Sequence, residues 1–373
     1  MCGIIGYIGK RHPIDILLEG LKSLEYRGYD SSGIAYVKDN KVNIIKEIGK
    51  INNLEKKLDF NEETFMAIGH TRWATHGEPS INNSHPHKSG KFSVVHNGII
   101  ENYLEIKNKL VSQGIIFKSD TDTEVIPALL NHYYEKSKNI LETIRKTVND
   151  LKGSFAIGII CDDDYDNIYA VRCGSPLIIS KDDNGCYLAS DIPAILSYTN
   201  KYIILDENEI AVISKKDYLI YNSSLKKINK ETKVYEGSQD SIMLNGYNHY
   251  MQKEIYEEAK VYLDTYNYYV KDNKFKDTMI DFKKYKNIHI VGCGSAYYVG
   301  LISSYLIEEY ANIRTYVEVA SEYRYKKIFY DKDTLVVIIS QSGETADSLA
   351  ALREAKKVGV KTLAIVNVVG KSK

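Results

Sequence analysis

Apolar and polar positions follow different periods in successive stretches of the chain. At the start, Ile4-Ile5 and Tyr7-Ile8 lie between Gly3, Gly6 and Gly9 and read as a short buried strand with Cys2 at its tip. From Pro13 to Glu25, Ile14, Leu17, Leu18, Leu21 and Leu24 keep a helical period, with proline at the beginning. Tyr26 to Gly33 is polar and glycine-bearing, which predicts a loop feeding strands at Ile34–Val37 and Val42–Ile45. Phe92–His96 reads as a strand ending at Asn97-Gly98, followed by a helix from Tyr103 to Gln113. Ser119 to Glu124 reads as the N-cap of a helix beginning near Glu124. From Gly153 to about Ser224, β-branched runs alternate with turns such as Asp182-Asp183-Asn184-Gly185. The runs are Phe155–Ile160, Ile168–Val171, Leu177–Ile179, Ile203–Leu205, Ile210–Ile213 and Tyr218–Tyr221, and they predict an antiparallel meander. Together these elements predict a layered α+β domain ending near residue 235.

The rear of the chain has another rhythm. Met251, Ile255, Ala259, Leu263, Tyr266 and Val270 share one face of a helix over 247–270, and a Lys-rich loop follows to Lys286. Ile288–Val291 is a strand, Gly292-Cys293-Gly294-Ser295 a glycine turn, and Ala296–Tyr310 a helix. Thr315–Val319, Leu335–Ile339 and Thr362–Val366 are further strands, with Ser340-Gln341-Ser342-Gly343-Glu344-Thr345 leading into a helix to Lys357. The fully apolar run Leu335–Ile339 is typical of a parallel sheet covered on both faces. The pattern is doubly wound α/β.

Composition narrows the function. The 373 residues carry 49 basic and 49 acidic side chains, so net charge is zero and neither nucleic acid nor an anionic membrane is the expected partner. There is no apolar run long enough to span a bilayer and no signal-like segment. The five cysteines are widely spaced, which fits reduced thiols in a cytoplasmic protein.

The candidate chemistry starts at Cys2. Removal of Met1 leaves its thiol beside its own α-amine, and reference pKa values of roughly 8.5 and 7.7–8.0 let the amine take the thiol proton. Gly69-His70-Thr71-Arg72-Trp73-Ala74-Thr75-His76-Gly77 is dense in donors and lacks an apolar period, so it reads as a loop and a site. Arg72 suits a carboxylate. Trp73 fits either a lid over a ligand or a buried structural role. Five of the nine histidines lie between His70 and His96, yet their spacing matches no zinc pattern, and hydrogen-bonding histidine is preferred over a metal ligand. Asn97-Gly98 reads either as a simple turn or as an oxyanion hole made of the Asn97 amide and the Gly98 N–H. Among Asp120, Asp122 and Glu124, one carboxylate beyond those needed for capping suits an ammonium group. The two serine- and glycine-rich turns of the rear domain suit phosphate, without the lysine of a nucleotide-triphosphate loop.

These motifs, in this order, resemble the glutamine–fructose-6-phosphate aminotransferase (isomerizing) family over the whole chain. The residues that carry the likeness are Met1–Ile4, Tyr26–Ser31, Gly69–Gly77, His96–Ile99, Thr121–Glu124, Lys253–Ile255 and Ser340–Thr345. The resemblance implies an αββα N-terminal-nucleophile glutaminase over 2–235 and a helix-bearing linker over 236–286. It implies an incomplete sugar isomerase (SIS) domain over 287–373. It implies Cys2 as nucleophile, Asn97 and Gly98 as oxyanion donors, and Arg72 and Asp122 on the glutamine carboxylate and amine. Thr75 and His76 would lie beside them, Trp73 on the ammonia path, and Arg27 at the nucleophile end. Cys293, Gly294, Ser295, Ser340, Gln341, Ser342 and Thr345 would line a sugar-phosphate site. Glutamine and fructose 6-phosphate are then the substrates, no cofactor is expected, and a homodimer is expected for the complete enzyme. Ala296 stands where the family usually has a hydroxyl, which removes one phosphate contact. The family pattern also runs on past Lys373, through a second lobe and a tail that supply the isomerisation groups. The expectation is therefore a glutamine-dependent amidotransferase that hydrolyses glutamine to glutamate and ammonia, which the complete enzyme transfers to fructose 6-phosphate to give glucosamine 6-phosphate, with a glutaminase-only chain or a non-catalytic sugar-phosphate-binding fragment as the alternatives.

Overall fold

The computed structural model describes residues 2–25, 28–74, 76–235, 246–247, 249–276, 280–343 and 345–367. It forms two compact units, residues 1–253 and 254–373. The first contains β1 (Gly3–Gly9), α1 (Pro13–Leu24), β2 (Ser31–Lys38), β3 (Lys41–Ile48), α2 (Ile51–Glu55), β4 (Met66–Arg72), β5 (His87–Ser89) and β6 (Phe92–Ile100). It continues through α3 (Tyr103–Val111), α4 (Val125–Ser137), α5 (Ile140–Asp150), β7 (Gly153–Cys161), β8 (Asp164–Cys173), β9 (Ile178–Asp182), β10 (Gly185–Ala189), β11 (Lys201–Ile204), β12 (Ile210–Ser214), β13 (Tyr218–Tyr221), β14 (Lys227–Ile228) and β15 (Lys233–Val234).

Two sheets are built from these strands, in the orders β15-β11-β9-β10-β1-β4-β2-β3 and β14-β13-β12-β8-β7-β6-β5. Side chains alternate between faces every two residues, and the buried clusters follow that alternation. Ile5, Tyr7 and Ala67 pack with Leu17 and Leu21 of α1 on the outer face of the first sheet. Ile4, Ile8, Met66 and Ile68 meet Val95, Ala156 and Ile160 between the sheets. Phe92, Val94, Phe155 and Ile157 pack beneath Leu110, Leu129 and Ile144 of the other helices. The layers are therefore helix, sheet, sheet, helix, and each sheet is buried on both faces.

Four sequence expectations change here. Gly69 to Arg72 belongs to β4, a fully buried strand, and the loop begins only at Trp73. Asn97-Gly98 lies within β6 rather than in a turn after it. The single meander is divided, since β7, β8, β12 and β13 join one sheet while β9, β10 and β11 join the other. Glu124 does not cap α4 through its side chain; its carboxylate accepts from the backbone N–H groups of Lys118 and Ser119.

The helix α6 (Tyr250–Tyr269) runs from the end of the first unit into the second. Its predicted apolar face is exposed at Met251, Ile255, Leu263 and Tyr266. A two-residue hairpin, β16 (Val270–Lys271) with β17 (Lys274–Phe275), follows. The second unit then holds β18 (Asn287–Gly292), α7 (Ser295–Ala311), β19 (Arg314–Val319), α8 (Ala320–Tyr323), β20 (Thr334–Ser340), α9 (Ala346–Lys357) and β21 (Lys361–Val366). The four longer strands make a wholly parallel sheet in the order β19-β18-β20-β21. The strand order reverses between β18 and β20, the usual place for a ligand crevice in an open α/β sheet. Among the described residues, no helix is long and apolar enough to cross a membrane.

Candidate active site

Strand alternation aims three groups at one place between the sheets. Cys2 precedes β1 in the same parity as Ile4 and Ile8, which face the second sheet. His70 shares its face of β4 with Met66 and Ile68, and Asn97 shares its face of β6 with Val95. The Asn97 Nδ2 donates to the Cys2 carbonyl at 3.0 Å, so the two sheets are joined at the tip of β1. The Trp73 N–H donates to Cys2 Sγ at 3.3 Å. Burial pushes the Cys2 thiol up, and the Trp73 N–H and the nearby Arg72 charge pull the other way. With burial as the larger influence, the thiolate is scarce at neutral pH and the site requires a base.

Gly98 has φ 122°, in the region that favours glycine. A Cβ there would lie 1.9 Å from the Ser154 carbonyl oxygen, so only glycine fits this point of the ladder. Gly28 is constrained by approach instead, since a Cβ would meet the Arg72 carbonyl carbon at 2.7 Å and the Trp73 nitrogen at 2.8 Å. That approach lets Asp30 reach the loop: its N–H donates to Arg72 O at 3.1 Å and its carboxylate accepts from the Ala74 N–H.

Arg72 is buried, and its Nη2 donates to the carbonyls of His76 at 2.6 Å and Gly77 at 2.7 Å. It thus holds the loop after β4 as well as facing the site. Asp122 is also buried and accepts from the Ile100 N–H at 2.7 Å. Cys2, Arg72, Trp73, His76, Gly98 and Asp122 line one narrow pocket with room for little more than a water molecule. Trp73 is 50% exposed, which removes the buried structural role. Arg27 and Thr75 lie outside the described residues.

The histidines form a buried stack. His70 and His85 rings are 4.0 Å apart and nearly parallel, and His85 meets His87 edge-on at 4.9 Å. Burial pushes His70 down to about 3 and His96 to about 4, and holds His85 and His87 well below the usual histidine range. Among the described residues, no group of three or more His, Cys, Asp or Glu is placed to hold a metal ion. His70, Asp30 and Thr123 were not picked out as site residues from sequence. The signal that finds His70 is its place in β4, two residues beyond Ile68.

In the second unit, the predicted phosphate turns follow β18 and β20, which pair directly in parallel, so both turns lie at the carboxyl ends of the two central strands. Gly294, at φ 57°, precedes α7, and Ser295 opens it. The Ser340 hydroxyl lies 3.1 Å from that of Thr345 and accepts from the Gly343 N–H at 3.1 Å. Cys293 and Ser342 are half-buried, and Gln341 is exposed.

A glutamine amidotransferase domain family matches residues 70–197, and the SIS domain family matches residues 281–372. Glutamine–fructose-6-phosphate aminotransferase (isomerizing) of Clostridium tetani is 47% identical over 100% of this chain and 62% of its own length. The enzyme of that name from Aquifex aeolicus is 44% identical over 99% of this chain and 62% of its own. The chain thus spans 62% of the curated relatives it matches. Among solved structures, Bacillus subtilis glutamine phosphoribosylpyrophosphate amidotransferase shares the fold at a TM-score of 0.53. It is 17% identical, over 98% of this chain and 81% of that one. The fold is thus an N-terminal-nucleophile amidotransferase sandwich followed by part of an SIS domain, and the chain belongs to the glutamine–fructose-6-phosphate aminotransferase family, whose N-terminal portion it matches.

Proposed function

We propose that residues 2–235 hydrolyse glutamine to glutamate and ammonia. We further propose that residues 287–373 contribute to a sugar-phosphate site at which the complete enzyme transfers that ammonia to fructose 6-phosphate, with 236–286 linking the two. The observation that carries the reading is the junction of Cys2 with Asn97 across the two sheets, rimmed by Arg72 and Asp122.

The steps follow from the groups present. Met1 is removed, and the freed α-amine of Cys2 takes the thiol proton. The sulfur attacks the glutamine side-chain carbonyl, and Asn97 Nδ2 and the Gly98 N–H stabilise the oxyanion. The tetrahedral intermediate collapses to a thioester, the amine returns its proton to the leaving nitrogen, and ammonia departs. Water then attacks the thioester, with the same amine as base, and glutamate leaves. Arg72 and Asp122 bind the α-carboxylate and α-amine, with Thr75 and His76 beside them and Arg27 at the nucleophile end. The narrow pocket requires the loop bearing Trp73 and His76 to move outward for glutamine to enter. In the second unit, Ser340, Gln341, Ser342 and Thr345, with Cys293, Gly294 and Ser295, hold the sugar phosphate at the strand-order reversal. A homodimer and a cytoplasmic location complete the proposal.

The test is purified protein with glutamine and fructose 6-phosphate, reading glutamate and amino sugar separately. Glutamate is expected from the wild type and none from Cys2→Ala. An extra residue placed between Met1 and Cys2 is expected to silence the enzyme nearly as well. Glutamate release that survives either change overturns the mechanism.

A further inference from the structure

We propose that His70 is a positioning residue for this hydrolysis: its Nε2–H holds the Asn97 side-chain oxygen and thereby turns the amide NH2 toward Cys2 and the developing oxyanion. The inference rests on the reading of Asn97 as an oxyanion donor. His70 Nε2 lies 2.8 Å from the His96 carbonyl oxygen and 3.1 Å from Asn97 Oδ1. Both neighbours are acceptors, so Nε2 carries the hydrogen and shares it between them. An Asn amide has two orientations of similar shape. In the other one, Oδ1 would face the Cys2 carbonyl oxygen and the NH2 would face the His70 N–H, losing both bonds. The bond to Cys2 lies at the reacting end, where glutamine enters and charge develops. The bond to His70 lies behind, in the interior, and stays unchanged through the reaction. It is therefore the contact that preorganises the donor.

The histidine is itself fixed. It is fully buried on β4, and its ring stacks on His85 at 4.0 Å. The His85 Nδ1 in turn accepts from the His96 N–H at 3.3 Å. The other His70 nitrogen, Nδ1, is buried with no hydrogen-bond partner, so a second proton there is strongly disfavoured and the neutral Nε2–H form persists. The bridge runs from the sheet that carries Cys2 to the sheet that carries Asn97, so one side chain sets the oxyanion donor against the nucleophile.

The experiment uses the full chain with His70→Leu, His70→Gln, His70→Asn, Asn97→Ala and the His70→Leu/Asn97→Ala double variant. Glutamine hydrolysis and Cys2 alkylation by iodoacetamide, which displaces iodide without an oxyanion, are both read. His70→Leu is expected to lower kcat by about 10–100-fold with KM little changed, less than the ~10²–10³ of losing the donor outright. Its alkylation rate should stay within about twofold, since the nucleophile is untouched. His70→Gln places an amide nitrogen near the Nε2 position and should restore most of kcat; His70→Asn, too short, should not. On the Asn97→Ala background, His70→Leu should cost at most about twofold more. Unchanged kcat in His70→Leu beside an active wild type overturns this inference alone. So do multiplicative losses in the double variant, or alkylation falling in step with hydrolysis. If His70→Leu does not fold, equal activity of the Gln and Asn variants overturns it. A wild type that does not hydrolyse glutamine overturns the proposed function, and this inference with it.

Discussion

The two units enclose their clustered polar groups to different degrees. In the first, His70, Arg72, Asn97 and Asp122 are each at most 5% exposed, inside a sandwich covered on both outer faces by helices. In the second, Ser295 and Gln341 are exposed, and the Ser340 and Thr345 hydroxyls are held by each other. Its helix α7 leaves Tyr298, Ile302, Tyr305 and Tyr310 in solvent. A donor that must act at one point needs a scaffold that cannot shift, whereas an anion shared among hydroxyls and backbone N–H groups tolerates an open crevice. The difference in covering is thus a difference in how narrowly each unit holds its polar groups.

Acid should separate the units most. His70, His85, His87 and His96 are held neutral when folded, and their unfolded forms take protons below about pH 6.5. The unfolded state then binds more protons, so stability falls as pH falls below about 6.5, over a window that reaches about 4 for His96 and about 3 for His70. The second unit has His289 in this condition, its ring likewise pushed down by burial. Hydrogen exchange read at pH 7, 6 and 5 should lose protection first across residues 3–214; earlier loss across 287–366 breaks the comparison.

Core truncation sharpens it. Leu21 is fully buried on the inner face of α1, and Leu21→Ala should cost about 2–5 kcal/mol in denaturant unfolding. Ile302 is 65% exposed, and Ile302→Ala should stay within about 0.5 kcal/mol. Equal costs would mean that the α7 face is covered in solution. Asn97→Ala should lower glutamine turnover by about 10²–10³ with affinity near normal; a loss confined to KM would make Asn97 a binding residue. Ser340→Ala removes the acceptor of the Gly343 N–H and should cost about 1 kcal/mol, measured as a small downward shift in the melting of the second unit.

The second unit was the more legible in sequence. Its strands are short apolar runs separated by helices, and β18, β19, β20 and β21 form within a residue or two of the expected bounds. The central strands β18 and β20, buried on both faces, announce themselves by continuous hydrophobicity. The first unit hid its central site. His70, Thr71 and Arg72 are polar, so β4 read as a loop from Gly69 onward. They tolerate burial because each has a partner: His70 on Asn97, the Thr71 hydroxyl on Gly28 O, Arg72 on His76 and Gly77. The partners of His70 and Thr71 lie far away in sequence, and period alone does not reveal them; those of Arg72 lie four and five residues on, in the loop that its side chain holds. The split of the meander between two sheets was hidden for the same reason. Leu177–Ile179 reads as a strand, but its partner β10, a five-residue run of Gly-Cys-Tyr-Leu-Ala, is too weakly β-branched to be singled out. The polar residues were legible as motifs, and the buried hydrogen bond between His70 and Asn97 was not.

The position of β1 has a consequence for biosynthesis. It lies between β4 and β10, pairing Ile4 with His70 and Ile5 with Ala189, so its second edge is completed by a strand made almost two hundred residues later. At ~5–20 residues per second that interval is roughly 10–40 s. During it β1 can pair with β4 on one edge, while its other edge stays open. The alignment of Cys2 with Asn97 therefore waits until both sheets have formed.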